Sequence, residues 1–395
     1  MQSATADFNG VIKRSRKIAD DMSKGVQFLM KKNKITVLMG NGVFNADKTL
    51  TVTVADGKTE IISAPHIIVA TGGRAKELPN LKIDGTRVIE YRKAMTLEKM
   101  PEHIVIVGAG AIGVEFAYFY HSMGSKVTIV EFMDQGLLPR EDADISKELA
   151  KIYSKKGMTI LAGTSVESVV TSGKISKVFV KNKATGVTST IECDIILSAA
   201  GVTPNTENIG LEKIGVKTDR GFVVVDDVYK TNVSGIYAIG DILNTQALAH
   251  VASAQGITCV EAIAGMHVEK MDYNNIPGCT YCTPEVASVG YTEKAAKEAG
   301  YEIKVGKFPF TASGKAKAVG APEGFVKVIY DAKYGEWLGC HMIGYNVTEI
   351  IAEVVVARKL ETTGHEILKS VHPHPTISEA VMEATAAAYG EVIHL

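Results

Sequence analysis

Three sets of residues in this chain have types and spacings that chemistry could use. The first is Gly108-Ala-Gly110-Ala-Ile-Gly113, which follows the apolar run His103-Ile-Val-Ile-Val107. Glu131 ends a second apolar run, 18 residues after the last of these glycines. In a strand–turn–helix setting Gly108 makes the tight turn, Gly110 admits a pyrophosphate to the backbone, and Gly113 lets the helix pack on the strand. The start of the helix offers N–H groups and a positive dipole end to the phosphate. A carboxylate at Glu131 can accept hydrogen bonds from the adenosine ribose and repels a 2′-phosphate, which favours NAD over NADP. A bare G-x-G-x-x-G is a weak signal. Strand, helix, strand and terminal acid in register predict a dinucleotide site rather than a glycine-rich turn.

The second set is Cys279-Thr-Tyr-Cys282, with the C-x-x-C spacing of redox and metal sites. No second C-x-x-C or Cys/His group completes a zinc site, so no metal is expected and packed thiols are the favoured reading. Cys193, Cys259 and Cys340 sit in apolar runs and read as core. The third set is His372-Pro-His374-Pro375-Thr376-Ile-Ser378-Glu379. Thiol–disulfide chemistry needs a thiolate, and a thiol of pKa about 8.5 supplies little at neutral pH. A histidine can take that proton and return it, and a carboxylate on its other ring nitrogen fixes the tautomer. Two histidines in a surface turn would have the same spelling. Pro375 should hold the chain extended after His374, and Ser378 or Thr376 could cap a helix beginning near Glu379.

These residues need elements to place them. Residues 8–32 read as a helix with an apolar stripe of Val11, Ile18, Met22, Val26 and Leu29. Residues 34–45, 50–54 and 59–63 read as strands, with a hairpin turn at 55–58. The buried strand Ile67-Ile-Val-Ala-Thr71-Gly72-Gly73 comes next, and 79–101 looks like a linker. The nucleotide unit closes near residues 193–201. Gly235-Ile-Tyr-Ala-Ile-Gly-Asp241 is a further strand ending in Gly-Asp, where an ordinary strand-to-helix turn is the competing reading, and 248–266 reads as a helix. From Tyr273 strands broken by glycine (287–290, 325–330, 337–343) precede helices. The segment 348–360 carries Ile351, Val354 and Val355, with Ile350 flanking, a stripe suited to a two-fold interface.

Bulk properties agree with a globular enzyme. The 395 residues suit two or three domains, and a formal net charge of −1 with 22% charged residues excludes a polyelectrolyte partner such as nucleic acid. No apolar run reaches the roughly 18 residues that span a bilayer. Five scattered cysteines, an odd number, fit a reducing cytoplasm better than a disulfide framework.

The segments IIVATGG, the glycine fingerprint, GIYAIGD, ALAHVASAQG, TPEVASVGYTE and HPHPTISE occur in one order along the chain. In that set and order the chain resembles the flavoprotein pyridine nucleotide-disulfide oxidoreductases, most closely those of the dihydrolipoamide dehydrogenase type. The resemblance covers essentially the whole chain. It implies an α/β architecture of two Rossmann-like dinucleotide domains plus a C-terminal α+β interface domain. FAD would lie with residues 1–75 and 201–272, NAD with 76–200, and dimerisation with 273–395. It implies FAD contacts at Gly40, Thr71, Gly72, Gly73, Asp241, Ala247, Leu248, Ala249 and His250. NAD contacts are implied at Gly108, Gly110, Gly113, Glu115, Glu131, Val166 and Gly201. Glu115 would correspond to the family glutamate between nicotinamide and flavin, although a charge on an exposed helix face is the plainer reading. His374 and Glu379 match the family's base and its orienting acid, and His372 reads as a structural neighbour.

The implied reaction passes two electrons from dihydrolipoamide, through a disulfide and FAD, to NAD. The implied partners are a second subunit and the lipoyl carrier domain of a 2-oxo acid dehydrogenase or glycine cleavage complex. Glutathione reductase, mercuric reductase and a soluble transhydrogenase are rivals in the same class. Glu131 argues against the first, and the chain end Tyr389-Gly-Glu-Val-Ile-His-Leu395 lacks the paired cysteines of the second. The family opens with its own βαβ unit, a first G-x-G-x-x-G and a C-x4-C pair, and none of these occurs in the 395 residues. The expectation from sequence is therefore a chain short of its N-terminal redox segment, holding little flavin and turning over poorly. A rival from another class is an inactive, NAD-binding, dimer-forming remnant.

Overall fold

A computed structural model describes residues 6–395. The chain divides into two compact units, one of residues 1–76 with 202–273 and one of 77–201 with 274–395. Each is assembled from segments distant in sequence.

In the first unit the helix Phe8–Lys32 starts at Asp7, whose carboxylate accepts the Gly10 N–H at 2.9 Å. Its apolar stripe, Val11, Ile18, Met22, Val26 and Leu29, is exposed, and only Phe8 is buried. The strand expected over 34–45 is shorter, Gly40–Phe44. Residue 34, just past the helix, takes a left-handed φ of 56°, which interrupts an extended start. Gly40–Phe44, Leu50–Val54 and Thr59–Ile62 form an antiparallel sheet. Ile67–Val69 pairs in parallel with Ile236–Ala238, and Gly73–Ala75 pairs antiparallel with Val202–Pro204. Phe44, Val69, Leu211, Ile236, Ala238, Ile242 and Cys259 close one apolar core over both segments.

The second unit holds a five-stranded parallel sheet. Its order is Val88–Ile89, Ile195–Ser198, His103–Val107, Lys126–Val130, Thr159–Leu161. The stretch expected as a linker thus supplies an edge strand, with Leu81, Val88 and Ile89 fully buried. Two residues of strand are too few to show periodicity. Helices Ala111–Met123 and Ala143–Lys155 complete the βαβ units, and an antiparallel meander over 164–193 packs beside them.

The same unit contains a five-stranded antiparallel sheet in which every residue of Phe325–Asp331 and Trp337–Gly344 is buried. Continuous burial explains why these strands read as apolar runs without alternation. The helix Val347–Lys359 lies on this sheet with Ile351 and Val354 in the core and Ile350 and Val355 packed against it. The stripe expected to serve a two-fold interface is therefore spent within the chain.

Candidate functional site

The residues expected to hold a nucleotide gather at the carboxyl edge of the parallel sheet. Gly108 leaves its strand with φ +104°, and a Cβ there would lie 2.3 Å from the Ala199 carbonyl oxygen. Any side chain would push neighbouring strand ends apart. A Cβ on Gly113 would lie 2.0 Å from the Gly108 carbonyl oxygen, so the helix reaches the turn only through glycine. Gly110 is the N-cap of Ala111–Met123, makes no side-chain cap bond, and has nothing within 4 Å of its Cβ position. No side chain caps the first-turn N–H groups of this 13-residue helix, and the approach at Gly110 is open, which fits a pyrophosphate.

Glu131 is only 6% exposed and is already engaged. Its Oε2 accepts the Ala109 N–H and its Oε1 the Met133 N–H, both at 2.7 Å. The carboxylate therefore ties the glycine loop to the end of the second strand. A carboxylate has about four lone-pair sites, so capacity remains for a ribose hydroxyl. Gly201 lies on the same edge, two residues beyond Ala199. Val166 has its side chain in the core, and its carbonyl accepts a bond from the Asn80 side chain.

Glu115 is not an exposed helix charge. It is half-buried, and its Oε1 accepts the Tyr281 N–H at 2.9 Å. Burial raises its pKa, with the Tyr281 bond working against that shift. The bond holds the Cys279–Cys282 segment against the nucleotide fold. Both of these thiols are free. Burial pushes Cys282 up to about 12, and its Sγ donates to the Pro284 carbonyl at 3.0 Å. Cys279 is raised by burial and then by Glu285 and Glu141. Cys193, Cys259 and Cys340 are buried and raised likewise. Four of the five thiols are buried and Cys279 is partly so, which fits the reading of packed thiols. Among the described residues no group of His, Cys, Asp and Glu is arranged to hold a metal.

In the first unit the expected flavin residues Gly73 and Asp241 lie together, next to the Thr71–Gly72 turn. Asn205 clamps the Thr71–Gly72 turn: its Nδ2 donates to the Thr71 carbonyl at 3.0 Å and its N–H to the Gly72 carbonyl at 2.9 Å. Its carbonyl accepts the Thr71 hydroxyl at 2.7 Å. A methyl on Gly73 would sit 3.6 Å from Asp241 Oδ2, so this carboxylate faces bare backbone. Ala247 and Leu248 lead into the helix Ala249–Ile263, whose start has no side-chain cap; Ala249 and His250 form its first turn. A carboxylate acceptor at Asp241 fits a ribityl chain, and an uncapped helix start at 249 fits an isoalloxazine beside residues 247–250. Gly40 stands apart in the antiparallel sheet, where a Cβ would meet the Thr53 carbonyl oxygen at 2.5 Å. Its requirement for glycine is explained by strand pairing.

The histidine pair assembles as expected. His374 Nδ1 lies 2.9 Å from Glu379 Oε1, and Glu379 Oε2 accepts the Thr376 N–H at 2.7 Å. Burial alone would raise Glu379, but the Thr376 bond and His374 hold it below the usual carboxylate range. The His374 side chain is 80% exposed, leaving Nε2 available. His372 has both ring nitrogens occupied, Nε2 at 2.7 Å from Glu353 and Nδ1 at 3.1 Å from the Ser370 carbonyl. The Glu353 bond raises its pKa, and with both ring nitrogens engaged it is a structural neighbour of the pair. Neither Ser378 nor Thr376 caps the helix Glu379–Tyr389 with its side chain, contrary to expectation. Thr376 Oγ1 donates to the Pro373 carbonyl instead, and the chain turns through a cis peptide at Pro375.

Some contributors carry no sequence signal. Asp142 caps Ala143–Lys155 and, 2.9 Å from Lys327 Nζ, ties this helix to the antiparallel sheet. The same buried ammonium lies 2.8 Å from Glu293 and 3.1 Å from Asp144. Charged residues 185 positions apart advertise no pairing in sequence.

Comparison with known proteins follows the same lines. A family model described as pyridine nucleotide-disulphide oxidoreductase matches residues 2–256, and its dimerisation-domain model matches 276–385. The chain is 44% identical over 389 residues to a dihydrolipoyl dehydrogenase of Zymomonas mobilis, covering 98% of this chain and 83% of that protein. It is 44% identical over 396 residues to one of Mycobacterium leprae, covering 99% and 84%. Among solved structures it is similar to LpdA of Mycobacterium tuberculosis, with TM-score 0.89 and 27% identity over 97% of this chain and 84% of that one. The HOCl-induced flavoprotein disulfide reductase RclA of Escherichia coli gives TM-score 0.86 at 26% identity, covering 96% and 86%.

Proposed function

This chain belongs to the pyridine nucleotide-disulphide oxidoreductase family, and we propose that it works in the dihydrolipoyl dehydrogenase reaction. In that reaction dihydrolipoamide and NAD⁺ give lipoamide, NADH and a proton. Bound FAD supplies the two-electron carrier between thiol and nicotinamide. The observation that carries the reading is the His374–Glu379 pair, since thiol oxidation requires a proton acceptor of near-neutral pKa. Glu379 holds the proton on Nδ1 and leaves Nε2 to take a thiol proton. Gly108, Gly110 and Gly113 receive the NAD pyrophosphate, and Glu131 the adenosine ribose. Thr71, Gly72 and Asp241 border the FAD.

The partners in this reading are a second copy of the chain and a lipoyl carrier domain of a 2-oxo acid dehydrogenase or glycine cleavage complex. A reducing cytoplasm suits five free thiols. Among the described residues no helix is long and apolar enough to cross a membrane.

The test uses the FAD-saturated product of the whole reading frame, with dihydrolipoamide-dependent NADH formation as readout. His374→Gln should cut turnover about 10²- to 10⁴-fold, the range for a lost proton acceptor, with NADH affinity unchanged. Turnover within twofold of wild type, roughly the scatter of an uninvolved surface substitution, would refute the role of His374. NADH binding without any turnover in the wild type would favour the inactive, NAD-binding reading.

A further inference from the structure

Gln255 lies in the middle of Ala249–Ile263, is completely buried, and belongs to none of the expected contact positions. Its amide is fully used. Oε1 accepts the Gly240 N–H at 2.6 Å, while Nε2 donates to Thr245 Oγ1 at 3.2 Å and to Tyr273 Oη at 3.0 Å. The two ends of the turn Gly240–Thr245 are therefore fastened to one side chain, and Asp241 is the residue beside the first fastening. Gly240 has φ +77°, a conformation open to glycine without strain, and the bond to its N–H fixes where that turn begins. Tyr273 extends the anchor, its hydroxyl lying 3.2 Å from that of the buried Tyr229.

We propose that Gln255 is a positioning residue that clasps the Gly240–Thr245 turn and so aims the Asp241 carboxylate at the flavin's ribityl hydroxyls. The inference rests on the reading of Asp241 as an FAD contact. A helix that begins beside the cofactor thus also sets the angle of the turn opposite it. A leucine at 255 would fill similar space but strand the Gly240 N–H and take from the Thr245 and Tyr273 hydroxyls their bonds to the amide. A glutamate would keep an acceptor for Gly240, and the Thr245 and Tyr273 hydroxyls could rotate to donate.

The experiment is a double-mutant cycle on the holoenzyme, with FAD dissociation followed by the fluorescence of released flavin. Gln255→Leu should weaken FAD at least about tenfold, the effect of one lost bond to a buried partner. Gln255→Glu should restore most of that affinity. In an Asp241→Ala background the Gln255→Leu effect should largely vanish, because the clasp acts through Asp241. Thr245→Val, which removes a single fastening, gives the same cycle in a milder form should the leucine variant not fold. Additive effects of the 255 or 245 change and Asp241→Ala would overturn the clasp while leaving the FAD reading standing. A holoenzyme in which Asp241→Ala alone leaves FAD affinity unchanged would overturn the reading of Asp241 as an FAD contact and the clasp with it.

Discussion

Replacing Glu131 by glutamine separates two tasks that its carboxylate is assigned. The structure shows one, tying Ala109 and Met133 at 2.7 Å each. The other, accepting the adenosine ribose, is inferred. Glutamine keeps one acceptor oxygen and turns the other position into an N–H₂, which must face either the Ala109 or the Met133 N–H. One charge-assisted bond is lost, worth about 1.5–3 kcal/mol, and a donor is left facing a donor in a site only 6% exposed. Loosening the glycine loop weakens NADH and NADPH alike, because both share the pyrophosphate. Losing the ribose acceptor weakens NADH alone. Calorimetric titration of both nucleotides against wild type, Glu131→Gln and Glu131→Ala resolves the two. We expect NADH to weaken by about 1–3 kcal/mol, roughly 5- to 150-fold, and the NADH:NADPH preference to collapse. Equal losses for both nucleotides would leave the loop tie and refute the ribose role. A wild-type protein preferring NADPH would refute the cofactor assignment.

Lys327→Met should destabilise the second unit by about 3–5 kcal/mol, because buried Asp142 and its neighbours lose their cation; a denaturant midpoint unchanged from wild type would contradict this. Burial alone would raise Asp142, but bonds from Lys327 and the Glu293 N–H lower it, and bonds from Lys297 and Lys327 lower Glu293. Depressed carboxylates contribute stability that is present above their unfolded pKa of about 4 and lost as pH falls through the folded value. Acid unfolding should therefore steepen below about pH 4 in wild type and flatten in Lys327→Met, an ordering that parallel melting curves would check. Cys279→Ala with Cys282→Ala should leave turnover in place and cost about 1 kcal/mol of stability; abolished turnover would make these thiols the redox pair. Sedimentation should give a homodimer, and a monomer at micromolar protein would count against it.

The parts legible in sequence were those with local periodicity or fixed turn chemistry. The glycine fingerprint, the helix Phe8–Lys32 and the strands at 287–290, 325–330 and 337–343 announce themselves locally, whereas Ile303–Pro309 was not read as a strand. The His374–Glu379 pair was legible through the family resemblance of HPHPTISE, and the structure brings the two side chains to 2.9 Å. Glu131 was found, but not its backbone partners, since a bond from the Ala109 amide has no spelling. The stripe at Ile351 and Val354 was read correctly as buried and assigned the wrong partner, because sequence does not say whether a core or a second subunit covers an apolar face. Gln255 lies within the quoted ALAHVASAQG segment, but its bonds, like those of Lys327, were invisible for a different reason. A buried amide or ammonium is specified by groups brought from elsewhere in the fold, and its neighbours in sequence look unremarkable.

The first unit is stitched from two lengths of chain, and this has a consequence for the order in which the protein is made. Ile67–Val69 must wait for Ile236–Ala238, roughly 170 residues later, before its parallel pairing exists. The parallel sheet begun at Val88 has all its strands once Ser198 has emerged. Its contacts close over a shorter stretch, so on a ribosome it can form while the earlier strand stands unpaired. The antiparallel clasp of Gly73–Ala75 with Val202–Pro204 then returns the chain to where it left. Slowing translation between residues 198 and 236 should lengthen the exposure of Ile67–Val69, making this apolar segment the place where a nascent chain is most open to chaperones and to mispairing.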